Sequence, residues 1–404
     1  MKITQVEVIH INPRLAARNA AQPVRFAGID AQTIYRVRTD NGLVGNCDCR
    51  GHAALADAQV AALVDRNPVE CLHLPLPTGL VGALYDVLGQ YLEVPVYKLM
   101  GTKVRDRVPV AAWTRPASPE DFAAEIQRAA AEGYMTSKMH TCEHYDVLEQ
   151  TRAAQDVAPL GFRVHYDFNH NRTQDAVLRL VQQLEQFPVV GVLEDPLDWR
   201  DLEGWRRLRS RTFLPLLMHV PQLGGGPEML AGCADLYMIG EHGIDAAIRR
   251  AFACAEMGVG NVIQLTGGTL CKALAMHLGA VVPNLSHSTN LDDQYEEDVT
   301  GGRLEIADGS TPVPEGPGLG VQVDEELLRQ LAARPKSVLP RYLCVLKLPS
   351  GRRVYCPSMP PVARLTGFPE GGIRGIRLEE WHDDGSERFD ALHARVSREG
   401  PVWE

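Results

Sequence analysis

Residues 163–197 read RVHYDFNHNRTQDAVLRLVQQLEQFPVVGVLEDPL, and this stretch decides the fold. Two short apolar runs, RVHYDF and VVGVLE, flank a stretch of helical periodicity near 174–186, so the segment predicts strand, helix, strand. Each run ends on a carboxylate, Asp167 and Glu194, 194 − 167 = 27 residues apart. A right-handed crossover of that length sets the strands parallel and brings both acids to one C-terminal rim. Two acids converging there repel unless something positive lies between them, and a divalent cation is the usual solution.

Outward from this unit the same grammar repeats. VPVAAW, MTSKMH, LPLLMHV, DLYMIG, NVIQLT and AVVPNLS complete eight strands, with helices near 119–132, 145–157, 200–210, 226–232, 244–257 and 268–279 between them. Ser118 before Pro119 and two acids predicts the start of the first of these helices. The expectation is an α/β fold: a (β/α)8, TIM-like barrel over residues 108–300. Residues 1–107 form an α+β capping domain, with strands at 2–11, TIYRVRT and LVGNCDC, a tight Asn41-Gly42 turn, and helices near 53–65 and 78–92. A long polar connection in the cap carries Arg14, Arg18 and Arg25 and reads as a lid loop. Residues 301–336 return to pack on the cap. The last stretch, 337–404, is a C-terminal extension of unassigned role, with strand-like YLCVLKL and RRVYC around Ser350-Gly351.

Composition narrows the function classes. The 404 residues carry a formal charge of −10 with no basic run, which disfavours nucleic acid and anionic membranes as partners. No apolar run approaches the roughly 20 residues of a membrane span, and MKITQVEVIHI alternates like a strand rather than a signal sequence. A cytoplasmic protein is expected. Nine cysteines without a regular framework fit reduced, buried thiols, and the Cys47/Cys49 pair is more simply structural than metal-binding. The glycines of GPGLG lack a strand-turn-helix context and read as turns. No Walker loop, HExxH helix, GxSxG elbow or CxxC pair is present.

On the barrel, Lys138 and His140 stand two apart on the second strand and share a face beside the acids. A nearby cation would lower the pKa of either and make a base of it. Asn169, two beyond Asp167, is expected on the same face and suits hydrogen bonding to substrate. A lysine ammonium between Asp167 and Glu194 would equally satisfy all three without a metal.

The order of elements, with ALYDVLGQYLEVPVYKLMGTKVRDRVPV, EGYMTSKMH, VHYDFN, VLEDPL and VPEGPGLGVQVDEE, resembles the enolase superfamily, in its mandelate racemase and muconate-lactonizing branch, over roughly residues 1–330. The resemblance implies a Mg²⁺ that holds a substrate carboxylate while a base removes the proton alpha to it, giving an enediolate. It assigns Asp167 and Glu194 as metal ligands and Lys138 as the first lysine of a Lys-x-Lys motif whose second position is His140. Departures follow. Where a third acidic ligand is expected stand His219 and Val220; His219 as ligand would favour Mn²⁺ or another borderline metal. Gly240 and Thr266 replace the Asp-His dyad, with Glu241 and His242 just beyond the first. His242 is a candidate acid, His287 at strand eight and Arg25 in the lid are candidate substrate contacts. The expected activity is an acid-sugar dehydratase acting on a small carboxylate as a homo-oligomer. The alternatives are an impaired homologue that serves in ligand binding or assembly, and a one-sided cycloisomerase or racemase.

Overall fold

The computed structural model describes residues 1–22, 28–219, 221, 224–338, 340–368 and 372–404. The chain opens with an antiparallel sheet of β1 (Ile3–Ile11), β2 (Gln32–Thr39) and β3 (Val44–Arg50), in that order. The β2–β3 turn places Gly42 at φ 86°, a region that a Cβ disfavours. The helix Thr78–Tyr91 lies on this sheet at very short range, because a Cβ on Gly45 would stand 2.1 Å from the Ala83 carbonyl oxygen. The helix expected near 53–65 is reduced to Asp57–Ala61, which buries no residue and so gains nothing from extension.

The barrel follows. Its strands are β4 (Arg107–Thr114), β5 (Thr136–His140), β6 (Arg163–Asp167), β7 (Val190–Glu194), β8 (Leu216–Met218), β9 (Leu236–Ile239), β10 (Gly260–Gln264) and β11 (Leu285–Thr289). Neighbours are parallel, and pairing of Ser288 with Val110 and Thr289 with Ala111 closes the ring. The helix Pro119–Ala131 begins where expected, the Ser118 hydroxyl accepting from the Asp121 amide at 3.1 Å. The eighth strand is displaced from its expected position. Ala280 and Val281 end the helix Thr269–Val281, and the strand is LSHST. That helix is buried on every side, so it has no polar face to show a 3.6-residue period.

After the barrel, β12 (Ser310–Pro312) pairs antiparallel with β4, and the chain then returns to the cap. The Val96 amide donates to Gly318 O at 3.0 Å, and the Asn12 amide to Leu331 O at 3.4 Å. One apolar core runs from Ile3, Val37 and Leu80 in the cap through Val110, Tyr166 and Leu193 in the barrel to Leu331.

The final residues build a separate sheet of β13 (Tyr342–Lys347), β14 (Arg353–Cys356), β15 (Arg377–His382) and β16 (Val402–Trp403), in the order β15-β13-β14-β16. One face carries the helix Glu387–Glu399 over Leu343, Val345 and Tyr355. The other lays Cys344, Leu346 and Cys356 against Tyr145 of the barrel. All nine cysteines are free thiols. Among the described residues no helix is long and apolar enough to cross a membrane.

Candidate active site

Strand register builds the site. His140 pairs with Asp167, and Asp167 with Glu194, so the last residues of β5, β6 and β7 stand side by side at the rim. Alternation turns Lys138 and His165, two residues earlier, into the interior just below. The Lys138 ammonium lies 3.1 Å from Asp167 Oδ2 and 2.7 Å from Glu194 Oε2, and donates to Gln264 Oε1 at 2.9 Å. His140 Nε2 is 3.1 Å from Asp167 Oδ2, and its ring meets Trp113 edge-on at 5.1 Å.

Electrostatics follows from this packing. Burial works against the Lys138 charge, yet Glu194 and Asp167 outweigh it and raise the lysine pKa. Lys138 is therefore an ammonium in this arrangement, the metal-free pairing that the sequence offered as the alternative to a cation. The same contact explains the acids. Burial and the Glu194 charge push Asp167 up, but Lys138 and His140 hold it below its usual value. Glu194 is held well below its own range against burial by Lys138, His165 and His219.

The opposite wall carries no Asp-His dyad, as the sequence leads one to expect, and is built around His219 instead. His219 follows β8, its amide donating to Asp195 Oδ1 at 2.9 Å. Its Nδ1 is 2.9 Å from Glu194 Oε1 and its Nε2 is 2.8 Å from Glu241 Oε2. Gln264 Nε2 in turn donates to Glu241 Oε1 at 2.8 Å. Burial lowers the His219 pKa, but the hydrogen bonds to Glu194 and Glu241 carry it up to about 10. Against burial, His219 in turn holds Glu241 down at about 2. Strands five, six and seven are thus linked by a His-Glu-Gln chain on the wall where the resemblance had placed Gly240 and Thr266 in place of an Asp-His dyad. Gly240 has φ +117°, and a Cβ there would stand 2.7 Å from Gln264 O, so the backbone itself excludes an aspartate at that position.

The other expected residues separate. Asn169 lies past the strand end at φ 49°, its amide donating to Asp167 Oδ1 at 3.0 Å and its side-chain amide to Asp167 O at 3.3 Å. The two-residue alternation that placed it beside Asp167 stops with the strand. His287 is buried one layer below the rim, its Nε2 2.9 Å from His165 Nδ1 and its Nδ1 3.0 Å from Ser286 Oγ. His165 Nε2 completes the chain at 2.6 Å from Glu194 Oε2. Burial lowers both histidine pKa values, which favours neutral rings in this Ser286–His287–His165 row below Glu194. His242 is exposed and lines a cavity of about 330 Å³ with Asp48, Cys49, Glu241, Gln264 and Thr266. Arg25 and Val220 lie outside the described residues. Arg14 pairs with Glu297 at 3.2 Å, and Arg18 pairs with Glu125 at 3.1 Å and lies 3.8 Å from Asp293, just after β11.

The donor set suits a divalent cation. Both Glu194 oxygens are buried without a well-directed hydrogen bond among the described residues, even though three nitrogens lie within 2.9 Å. Glu194, Asp195 and His219 offer ligand atoms all within 4.8 Å of one another. Asp195, which burial and the neighbouring acids raise to about 6, was not singled out from sequence. Its signal was plain in VLEDPL, as a second acid directly after the first.

Residues 121–327 match the family model described as enolase C-terminal domain-like, just over half of the chain. The chain belongs to the enolase superfamily. Members of this superfamily depend on a divalent metal. Its relatives include a D-gluconate dehydratase of Thermoproteus tenax, 28% identical over 280 residues that span 63% of this chain and 56% of that protein. A D-galactonate dehydratase of Xanthomonas euvesicatoria pv. vesicatoria is 28% identical over 388 residues, covering 83% of this chain and 95% of its own. Among solved structures, an enolase from Thermobispora bispora complexed with magnesium and formate superposes with TM-score 0.68 at 24% identity, over 82% of this chain and 92% of that one. Solved members of the mandelate racemase and muconate-lactonizing branch share the barrel-and-cap fold.

Proposed function

We propose that this superfamily member is an acid-sugar dehydratase: it removes the proton alpha to a carboxylate, forms an enediolate and expels a beta hydroxyl. The observation that carries the reading is the in-register row His140, Asp167, Glu194, with Lys138 beneath it and the His219–Glu241–Gln264 chain across from it. Both kinds of relative support it, sugar-acid dehydratases in sequence and members of the superfamily in structure.

Asp167 and Glu194 would hold the cation, with His219 or Asp195 beside them, and the ion would supply positive charge to the substrate carboxylate. Carboxylates alone suit Mg²⁺; imidazole in the set favours Mn²⁺ or another borderline metal. Lys138, as an ammonium, donates to the oxygen on which charge develops. His140 takes the alpha proton. His242, at the cavity edge beside Glu241, assists the departing hydroxyl, and His287 serves from below by orienting His165. Assembly as a homo-oligomer is proposed on the family resemblance.

The test is a panel of acid sugars in deuterated water with Mg²⁺ or Mn²⁺, read by NMR for alpha deuterium and for the 2-keto-3-deoxy product. Exchange plus product is the expected result. One contact favours a second reading: Lys138 bridging Asp167 and Glu194 neutralises the cleft without a metal, as a ligand-binding protein descended from an enzyme would have it. Absence of exchange with every metal and sugar, and no heat of metal binding, would establish that reading instead.

A further inference from the structure

The sheet β13–β16 follows the end of the family-model match at residue 327. The galactonate dehydratase alignment uses 95% of that protein but 83% of this chain. What the sheet touches is specific. The loop 141–146 leaves the barrel directly after His140, and the extension covers it. His144 Nε2 bonds Pro360 O at 2.9 Å, and the Ala363 amide donates to Glu143 Oε2 at 2.7 Å. Arg374 pairs with Asp146, whose other oxygen caps the helix Val147–Val157 by accepting from the Leu148 amide at 2.9 Å. Arg377 pairs with Glu149 on that helix. Tyr145 and Cys142 pack into the apolar face of Cys344, Leu346, Val362, Ile376 and Leu378. Loops at the C-terminal rim of a barrel ordinarily run over the surface and move. Here His144, Tyr145 and Asp146 are each under a tenth exposed.

We infer that residues 342–404 are a brace built into the chain, whose docking on loop 141–146 fixes the position of His140. Arg374 is then a positioning residue. The loop's other tie is the Thr141 amide, which donates to Asp167 O at 2.8 Å, so the braced loop is also stitched to the neighbouring strand. A base held to a fraction of an ångström acts far faster than one that wanders, and the effect falls on turnover rather than on binding. The part played by His140 in turnover rests on the function proposed above; the brace itself does not.

The test compares full-length protein with Arg374→Glu, which sets two carboxylates face to face at Asp146, and with Arg374→Lys, which keeps the pair. Hydrogen exchange of residues 141–146 is expected to quicken about tenfold or more in Arg374→Glu and to stay near wild type in Arg374→Lys. Affinity for Mn²⁺ alone, by calorimetry, should change less than about twofold, and kcat for alpha-proton exchange should fall about tenfold with KM held. Unchanged loop exchange in Arg374→Glu overturns the inference, and so does a loosened loop with kcat intact. If the wild-type protein turns over no acid sugar, the proposed function fails, while the loop measurement still decides the brace.

Discussion

At Lys138 strong Coulomb attraction and strong desolvation meet. Its ammonium is 1% exposed between two buried carboxylates, so removing it strands two negative charges away from water. Breaking such a buried arrangement costs about 3–5 kcal/mol. Lys138→Met should therefore lower Tm sharply in metal-free buffer, and Mg²⁺ or Mn²⁺ should restore more of it than they add to the wild type. Equal metal-induced shifts in both proteins would show that Lys138 and the cation do not share the carboxylates. Of these residues, sequence made Asp167, Glu194 and Lys138 legible because each sits at a strand end or two residues before it. The sequence left open whether Lys138 is a base beside a cation or an ammonium between the acids, since that depends on distances across three strands. The His219–Glu241–Gln264 chain was not legible, its members being 22 and 23 residues apart and meeting only when the barrel closes. His165 was within reach: strand alternation from Asp167 points it inward.

At the scale of elements, the helix Thr269–Val281 joins the barrel to the cap through a neutral histidine. His277 Nδ1 accepts from the Tyr97 amide at 3.3 Å and its Nε2 donates to Leu319 O at 3.2 Å, so a second proton would cost the first bond. Burial accordingly lowers its pKa to about 4. The sign follows: between an unfolded value of 6.5 and about 4, the unfolded chain takes up the proton first, and stability falls with pH. The full loss from this one group is on the order of 3 kcal/mol. His277→Gln, which can still accept and donate, should show a flatter decline of stability from pH 6.5 to 4 in urea titrations. Parallel declines in the two proteins would refute the assignment. This helix is also the element that sequence reading ended too soon. Its buried, apolar end, residues 279–282, has no polar face and reads like the start of a strand, although Pro283-Asn284 marks the turn that divides it from LSHST.

For the whole molecule, the cap, barrel and return segment share one apolar core, whereas the C-terminal sheet has a core of its own under the helix Glu387–Glu399 and meets the barrel in a small apolar cluster around Tyr145. Cooperativity follows shared burial. Native-state hydrogen exchange should place β13–β16 in a separate unit that opens at lower free energy than β5–β7, and Trp381 and Trp403 fluorescence should change before the far-ultraviolet signal in denaturant. Coincident transitions would mean that the sheet is part of the main folding unit. The barrel count and the cap were legible from alternation and crossover length, but the partner of the extension was not, because no periodicity in 337–404 names the loop it covers. A last consequence concerns admission of the substrate. Asp48 on β3 accepts from the Cys271 amide at 2.5 Å and from that of Gly268, while Asp298 accepts from Thr269 at 2.7 Å. The cap is thus riveted to the barrel by Asp48, an acid that has given up its water, with Asp298 holding the same helix start from the barrel side. A jaw so fastened does not swing, and substrate must be admitted with the two larger bodies standing still.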